Sequence, residues 1–269
     1  MTNETALQVE ALDTIVLKSG EHEDRSNGLC LMEVVAWVAG EPHSDAPVCV
    51  SPVLSAFGRA WNDGLPDDAS RTALLKPFIP QLIGTAASSD VDERRSFMAM
   101  DWLIRVYAPA WLDLLPALAA HAVALRALPE ITMTEQLHAA QPALNDARSA
   151  SAAAGAAAGA AAWAAARDAA GAAAGAAARA AAGAAAGAAA GAAAWAAARD
   201  AAGAAARAAA RDAAWDAARA AARDTAGAAA WAAARAAARD AAGAALRPTV
   251  EHLQQSAGVL FTRMIACCR

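Results

Sequence analysis

Cysteine, histidine and carboxylate side chains lie close together near the start of the chain. These are the residue types that form both zinc sites and thiol nucleophiles. None of the four cysteines belongs to a CxxC pair, and the spacing matches no established motif. We therefore favour the interpretation that they are ordinary core and loop residues, and a metal or catalytic site is the alternative. The four residues concerned are Cys30, Glu33, His43 and Cys49.

A second set of charged residues predicts an ion pair. Asp101 and Arg105 are four residues apart, the spacing at which two side chains meet on one helix face. The alternative is that the arginine binds a ligand. Phosphate-binding loops, the HExxH motif and nucleophile elbows are absent from the sequence. We therefore predict no cofactor, and we favour a non-catalytic function.

The elements that position these residues are predicted to be helices. An apolar run predicts a helix over 29–40, and a serine-proline pair begins a second helix over 51–62. Pro77 and Pro80 break the next segment into two pieces. No segment favours a strand, so the sequence predicts an all-α head of five or six short helices. The remaining segments with helical periodicity are 90–107, 111–128 and 134–147.

A low-complexity tetrapeptide repeat follows the head. From Gly155 to Arg247, every fourth residue is Gly, Trp or Arg over 24 positions, and the residues between them are almost all alanine. Alanine has the highest helix propensity, and the repeat contains no proline. We therefore predict long Ala-rich helices over 149–248, although each interior glycine opposes helix formation.

The repeated position does not follow one face of a helix. Four residues advance a helix by about 400°, so the position drifts by ~40° at each repeat. One helix cannot bury all four tryptophans together, and we favour packed antiparallel helices over one rod. Arg–Asp pairing between helices and expansion of a short DNA repeat are alternative origins of the pattern. The candidate interaction residues are Trp163, Trp195, Trp215, Trp231, Arg207 and Arg211.

Charge divides the chain into an acidic head and a mildly basic array. Residues 1–150 contain ten Lys/Arg and twenty Asp/Glu, whereas 151–247 contain ten Arg and six Asp. These arginines are too sparse for a surface that follows a phosphate backbone. The chain starts without a secretory signal, and its longest uncharged stretch, 180–198, lacks the large aliphatic residues that drive membrane insertion. We therefore predict a cytoplasmic protein with neither a nucleic-acid nor a membrane partner.

The sequence after Pro248 returns to mixed composition and predicts a short C-terminal helix that packs on the head. The residues predicted to share one face of this helix are Val250, Leu253, Val259, Leu260, Met264 and Ile265. The predicted organisation is an N-terminal segment over 1–28, a helical head domain over 29–148, the Ala-rich array over 149–248 and the C-terminal helix over 249–269.

Several short motifs in the head carry a family resemblance. They are Asn27-Gly28, Cys30, Met32-Glu33, Ala36, Gly40-Glu41-Pro42, Ser44-Asp45, Cys49, Ser51-Pro52-Val53, Phe57, Asn62-Asp63, Leu65-Pro66-Asp67, Asp101-Trp102 and Arg105-Val106. In these motifs the chain resembles a family of uncharacterised bacterial and bacteriophage proteins. Its members also resemble this chain in an alanine-rich array and in a closing segment like 259–265. The resemblance implies a two-part architecture and no catalytic or binding residue.

Together these features predict a non-catalytic interaction or structural protein. The head binds a protein partner or a second copy of the chain, and the array acts as an extension or oligomerisation element. The first alternative is a small enzyme or metal-binding protein that uses Cys30, Glu33, His43 and Cys49. A weaker alternative is nucleic-acid binding through the array arginines.

Overall fold

The computed structural model describes residues 12–156 and 227–267. Regular structure within these ranges is helical and includes no strand, which confirms the all-α prediction. The α-helices are α1 (Leu31–Val38), α2 (Pro52–Gly64), α3 (Asp68–Leu75), α4 (Ile79–Leu82), α5 (Ser89–Trp102), α6 (Ala108–Leu112), α7 (Ala119–Arg126), α8 (Thr134–Ala156) and α9 (Gly227–Ala266). Short 3-10 helices cover Leu12–Thr14, Arg25–Asn27, Lys76–Phe78 and Pro116–Leu118, and a π-helical turn covers Leu103–Tyr107.

The boundaries of the first helices follow from their capping residues. Ser51 precedes α2, its Oγ accepts a hydrogen bond from the backbone N–H three residues later, and Pro52 occupies the first turn. Asp67 caps α3 through a 2.7 Å hydrogen bond from Ser70 N. Gly40 follows the end of α1 with a φ of +74°, in the left-handed region that favours glycine. The predicted start of α2 at the serine-proline pair is confirmed.

Proline divides two of the predicted helical segments. The predicted break at Pro77 is confirmed, because α3 ends at Leu75 and a 3-10 turn covers Lys76–Phe78. Pro80 lies in the first turn of α4, where a proline is tolerated, so it does not interrupt a helix. The single helix predicted over 111–128 is wrong. α6 ends early, and Pro116 begins a 3-10 turn that leads into α7, because proline lacks the N–H that a continuous helix needs.

Contacts between Cα atoms divide the chain into two compact units. The described residues of the first unit are 12–100 and 257–267. An aromatic cluster lies at its centre. Phe261 stacks on Phe57 with 5.5 Å between ring centroids, and it meets Trp61 and Phe78 edge-on at 5.9 and 5.2 Å. The end of α9 therefore packs on the head, as predicted.

The described residues of the second unit are 101–156 and 227–256. In this unit α6 packs on α7, and α7 packs on α8. Trp102 Nε1 donates a 3.0 Å hydrogen bond to Ser256 Oγ. The buried residues of α8 repeat at intervals of three and four, as expected of a helix with one apolar face. They include Leu137, Ala140, Leu144 and Ala147.

α9 continues through Pro248, where the predicted array meets the predicted C-terminal helix. The predicted place of Val259 on the buried face is wrong, because this side chain is 62% exposed. Val259 lies nine positions after Val250, and a step of nine positions turns a helix by about 900°, which ends half a turn away. The buried apolar residues of α9 are Leu246, Leu253, Ala257, Leu260, Phe261, Met264 and Ile265.

Most of the Ala-rich array lies outside the described residues, and so does its predicted packing as antiparallel helices. The division of the chain into a segment, head, array and C-terminal helix stays a prediction. In the part of the chain that the structure describes, no helix has the length and apolarity needed to cross a bilayer.

Candidate functional site

The Glu33 carboxylate is the centre of the candidate site. Glu33 lies in the first turn of α1, and its side chain is fully buried, with 0% exposure. Cys30 immediately precedes the helix, and its backbone N–H donates a 2.6 Å hydrogen bond to Glu33 Oε2. A glutamate at the third helical position reaches back to the capping residue in this way, because the first N–H groups of a helix have no partner within it. The first role of Glu33 is therefore to cap its own helix.

Two histidines from neighbouring loops also approach this carboxylate. His22 N donates a 2.7 Å hydrogen bond to Glu33 Oε1, and His22 Nδ1 lies 2.9 Å from Oε2. His43 Nε2 lies 3.7 Å from Oε1 and donates a 2.8 Å hydrogen bond to His22 O. We call His22, Cys30, Glu33 and His43 the Glu33 cluster. The cluster fastens the segment before α1 and the loop after α1 to the start of that helix.

Hydrogen bonds keep the Glu33 carboxylate ionised. Burial alone would raise the pKa of Glu33, but the backbone N–H groups of Cys30 and His22 and the His22 side chain together lower it below its ordinary value. A buried charge is tolerated where donors compensate for the lost water. At neutral pH the cluster therefore contains a carboxylate that acts as a hydrogen-bond acceptor.

Gly28 makes room for the His22 ring. Its φ of +121° lies in the region that favours glycine. A Cβ at this position would lie 2.9 Å from Lys18 Cγ and 3.0 Å from His22 Nε2. Because both distances are shorter than normal carbon contacts, a larger residue at position 28 would displace the imidazole from Glu33.

The Cys30 thiol is poorly suited to nucleophilic chemistry. Burial raises the pKa of Cys30 to about 12, and the adjacent negative charge of Glu33 also raises it. A thiol nucleophile needs the opposite environment, because the thiolate is the reactive form. Cys30 is therefore a protonated core residue at neutral pH.

Cys49 interacts with a different carboxylate. Glu41 accepts hydrogen bonds from Val48 N at 2.7 Å and from Cys49 N at 2.8 Å. Burial raises the pKa of Cys49 to about 11, with a further contribution from its hydrogen bond to Glu41. Of the four predicted site residues, the structure therefore brings Cys30, His43 and Glu33 together, and Cys49 helps to close the next loop.

Sequence reasoning missed His22. This residue is eleven positions from Glu33, and no local helical or strand spacing joins them. The only available signal was its residue type, since His22 lies in the same short stretch as Cys30 and His43. Its contact with Glu33 depends on the path of the loop before α1.

The described residues do not suggest a metal centre. In the ranges 12–156 and 227–267, no group of three or more His, Cys, Asp or Glu side chains is placed to hold a metal ion. In the Glu33 cluster, the carboxylate oxygens already accept hydrogen bonds from N–H groups. A zinc ion needs deprotonated donors that point towards one common centre.

The predicted ion pair between Asp101 and Arg105 is confirmed. Arg105 Nε lies 2.7 Å from Asp101 Oδ1. Both side chains also bind one loop: Arg105 donates a 3.0 Å hydrogen bond to Leu128 O, and Asp101 accepts a 2.9 Å hydrogen bond from Ile131 N. The arginine is therefore engaged in holding the connection between α7 and α8.

The predicted interaction residues of the array are largely outside the described ranges. Trp231 is placed on α9. Those outside are Trp163, Trp195, Trp215, Arg207 and Arg211. Comparison with known proteins adds no assignment, because no family model, curated protein or solved structure matches this chain.

Proposed function

We propose that this chain is a non-catalytic interaction or structural protein of the cytoplasm. In this proposal the head binds a protein partner or a second copy, and the Ala-rich array over 149–248 acts as an extension or oligomerisation element. The resemblance to bacterial and bacteriophage proteins with the same two-part organisation belongs to the proposal. The array residues that the sequence indicates as interaction candidates are also part of the proposal.

The main support for the proposal is that the polar groups of the Glu33 cluster interact with one another inside the protein. The carboxylate accepts two backbone hydrogen bonds and contacts an imidazole, and the Cys30 thiol is protonated at neutral pH. Catalytic bases and metal ligands need lone pairs that face a substrate or an ion. Groups that serve as internal hydrogen-bond partners support a structural role instead.

Sedimentation velocity and small-angle scattering of the full chain test this proposal. We expect an elongated or self-associated particle, because an extension or oligomerisation element increases the hydrodynamic size or the mass. The measurements should cover at least a tenfold range of protein concentration. A compact monomer at every concentration would contradict the proposal.

Acid–base catalysis by His22 is the second candidate function. His22 Nδ1 lies against a buried carboxylate, as in catalytic dyads, and Nε2 makes no hydrogen bond among residues 12–156 and 227–267. The ring is only 12% exposed, however, and Gly28 lies against Nε2. Diethyl pyrocarbonate, which acylates accessible imidazoles, separates the two functions. We expect His22 to react more slowly than the exposed His138, and a faster reaction that depends on Glu33 would favour catalysis.

A further inference from the structure

An asparagine-glycine pair lies in the loop before α1. Asn27 and Gly28 are the only such pair in the chain. In a pair of this kind, the backbone nitrogen of the glycine attacks the side-chain amide carbon of the asparagine, which closes a succinimide ring and releases ammonia. Water then opens the ring to aspartate or to isoaspartate. Glycine favours the reaction because it has no Cβ that would hinder the approach of its nitrogen.

The structure leaves the Asn27 side chain free to react. Asn27 is exposed, and its amide group makes no hydrogen bond to the residues that the structure describes. It is the last residue of a 3-10 turn, and Gly28 leaves this turn with a φ of +121°. The hydrogen bonds of a 3-10 turn have poorer geometry than those of an α-helix. The backbone around the pair is therefore held less firmly than the interior of a helix.

Two other asparagines provide a comparison within the described residues. Asn62 is buried, its Oδ1 accepts a 3.2 Å hydrogen bond from Leu31 N, and its Nδ2 donates a 2.8 Å hydrogen bond to Lys18 O. Asn145 is exposed but lies within α8, where each backbone N–H is hydrogen bonded to a carbonyl of the preceding turn. Aspartate follows both of them, and its side chain hinders the attack. Of the three, only Asn27 combines an exposed, unbonded amide with a following glycine.

Gly28 connects this pair to the Glu33 cluster. Its backbone packs against the His22 ring so closely that a Cβ would lie 3.0 Å from Nε2. The two residues that follow are held in place, because Leu29 O accepts a 2.9 Å hydrogen bond from Lys18 N and the next N–H donates to the Glu33 carboxylate. Isoaspartate adds a side-chain CH₂ to the main chain, which lengthens it by about 1.5 Å. The added length therefore displaces Gly28 against the imidazole.

We propose that Asn27-Gly28 is a self-modification site, and that its conversion to isoaspartate releases His22 from Glu33. A bond forms between Gly28 N and Asn27 Cγ as the Cγ–Nδ2 bond breaks, and Nδ2 leaves as ammonia with the proton of the Gly28 amide. Water then adds to the former backbone carbonyl carbon of residue 27 and breaks its bond to the nitrogen, which leaves a free α-carboxylate. The reaction consumes water and needs no oxidant. The loss of ammonia makes it a slow, one-way release of the loop before α1.

Incubation of the folded full chain at pH 8 tests the modification. Ion exchange separates the modified chain by its added negative charge, and peptide mapping with electron-transfer fragmentation locates isoaspartate. We expect it at position 27 while Asn62 and Asn145 remain unchanged. Asn27→Gln is the control, because glutamine would have to close a larger ring, and we expect this variant to stay unmodified. An unmodified Asn27, or modification of Asn145 before Asn27, would overturn the proposal.

Hydrogen exchange of the separated isoaspartate chain tests the release of His22. We expect the His22 and Cys30 amides, which donate to Glu33, to exchange roughly tenfold faster than in the unmodified chain. Asn27→Asp is the matched comparison, because it adds the same charge on an unchanged main chain at an exposed position. We expect less than about a twofold effect in this variant. Equal exchange in the isoaspartate chain and in Asn27→Asp would overturn the release. Neither result depends on self-association, so both are independent of the sedimentation test.

Discussion

Two carboxylates of this molecule hold loops against helices, but they do so with different partners. Glu33 is fully buried and accepts hydrogen bonds from the backbone N–H groups of His22 and Cys30, which both precede α1. Asp101 is partly exposed and faces a cation, Arg105, on the same helical stretch. A buried charge depends on every one of its donors, whereas a partly exposed ion pair retains water as a substitute. The comparison predicts that the Glu33 cluster contributes more to stability than the Asp101–Arg105 pair.

The largest effect is expected from Glu33→Ala. Removal of the Glu33 carboxylate leaves the backbone amides of Cys30 and His22 buried without an acceptor. We therefore expect a loss of about 3–4 kcal/mol in the free energy of unfolding. Denaturant unfolding followed by circular dichroism measures the loss. Glu33→Gln is the control, because it keeps the shape and one acceptor oxygen, and it should lose roughly half as much. Equal stability of Glu33→Ala and wild type would refute the structural role.

A smaller effect is expected from the ion pair. Asp101→Ala removes the contact with Arg105 and the acceptor for Ile131 N, and we expect a loss of about 1–2 kcal/mol. The same denaturant titration measures it. The double substitution Asp101→Ala with Arg105→Ala should cost less than the sum of the single ones, because both remove one interaction. Should Asp101→Ala prove more damaging than Glu33→Ala, the comparison would be reversed.

Acid should reduce the difference between wild type and Glu33→Gln. The pKa of Glu33 is lower in the folded protein than in the unfolded chain, where a glutamate has a pKa of about 4.3. Its ionised form therefore contributes stability above that pH, and the contribution is lost as the pH falls through the folded pKa. Unfolding titrations between pH 7 and the acid limit of folding measure it. A constant difference across this range would show that the charge makes no contribution.

The smallest effect is expected in thiol labelling. The pKa of about 12 and the burial of Cys30 predict that this thiol stays unmodified by a disulfide reagent in the folded protein at pH 8. Mass spectrometry of digested protein locates the label. Labelling in denaturant is the positive control. Rapid labelling of Cys30 under native conditions would support the catalytic alternative.

Local rules predicted much of the fold and one of the two carboxylate sites. The caps at Ser51 and Asp67 and the pair Asp101–Arg105 depend on residues at most four positions apart, so the sequence contains all the information they need. Pro116 is an equally local signal for the end of a helix, and the prediction of one helix over 111–128 did not take it into account. Helix and cap signals are therefore sufficient for the framework of the head.

Contacts between distant segments set the limit of the prediction. The hydrogen bond from His22 to Glu33 depends on the path of the loop before α1. The packing of Phe261 depends on aromatic rings that come from α2 and from the turn at Phe78. No regular helical or strand spacing in the sequence predicts either contact. The error at Val259 is of another kind, because a step of nine positions along a helix turns by about 900° and so places this side chain on the face opposite Val250.

Hydrogen exchange at two amides distinguishes a structural carboxylate from an open site most directly. The amides of Cys30 and His22 donate to buried Glu33, so we expect them to exchange only when the first unit unfolds, with the same free energy as its unfolding. The amide of Ile131, which donates to partly exposed Asp101, should exchange through smaller local openings. Exchange of the Cys30 and His22 amides as fast as that of Ile131 would contradict the structural role of the Glu33 cluster.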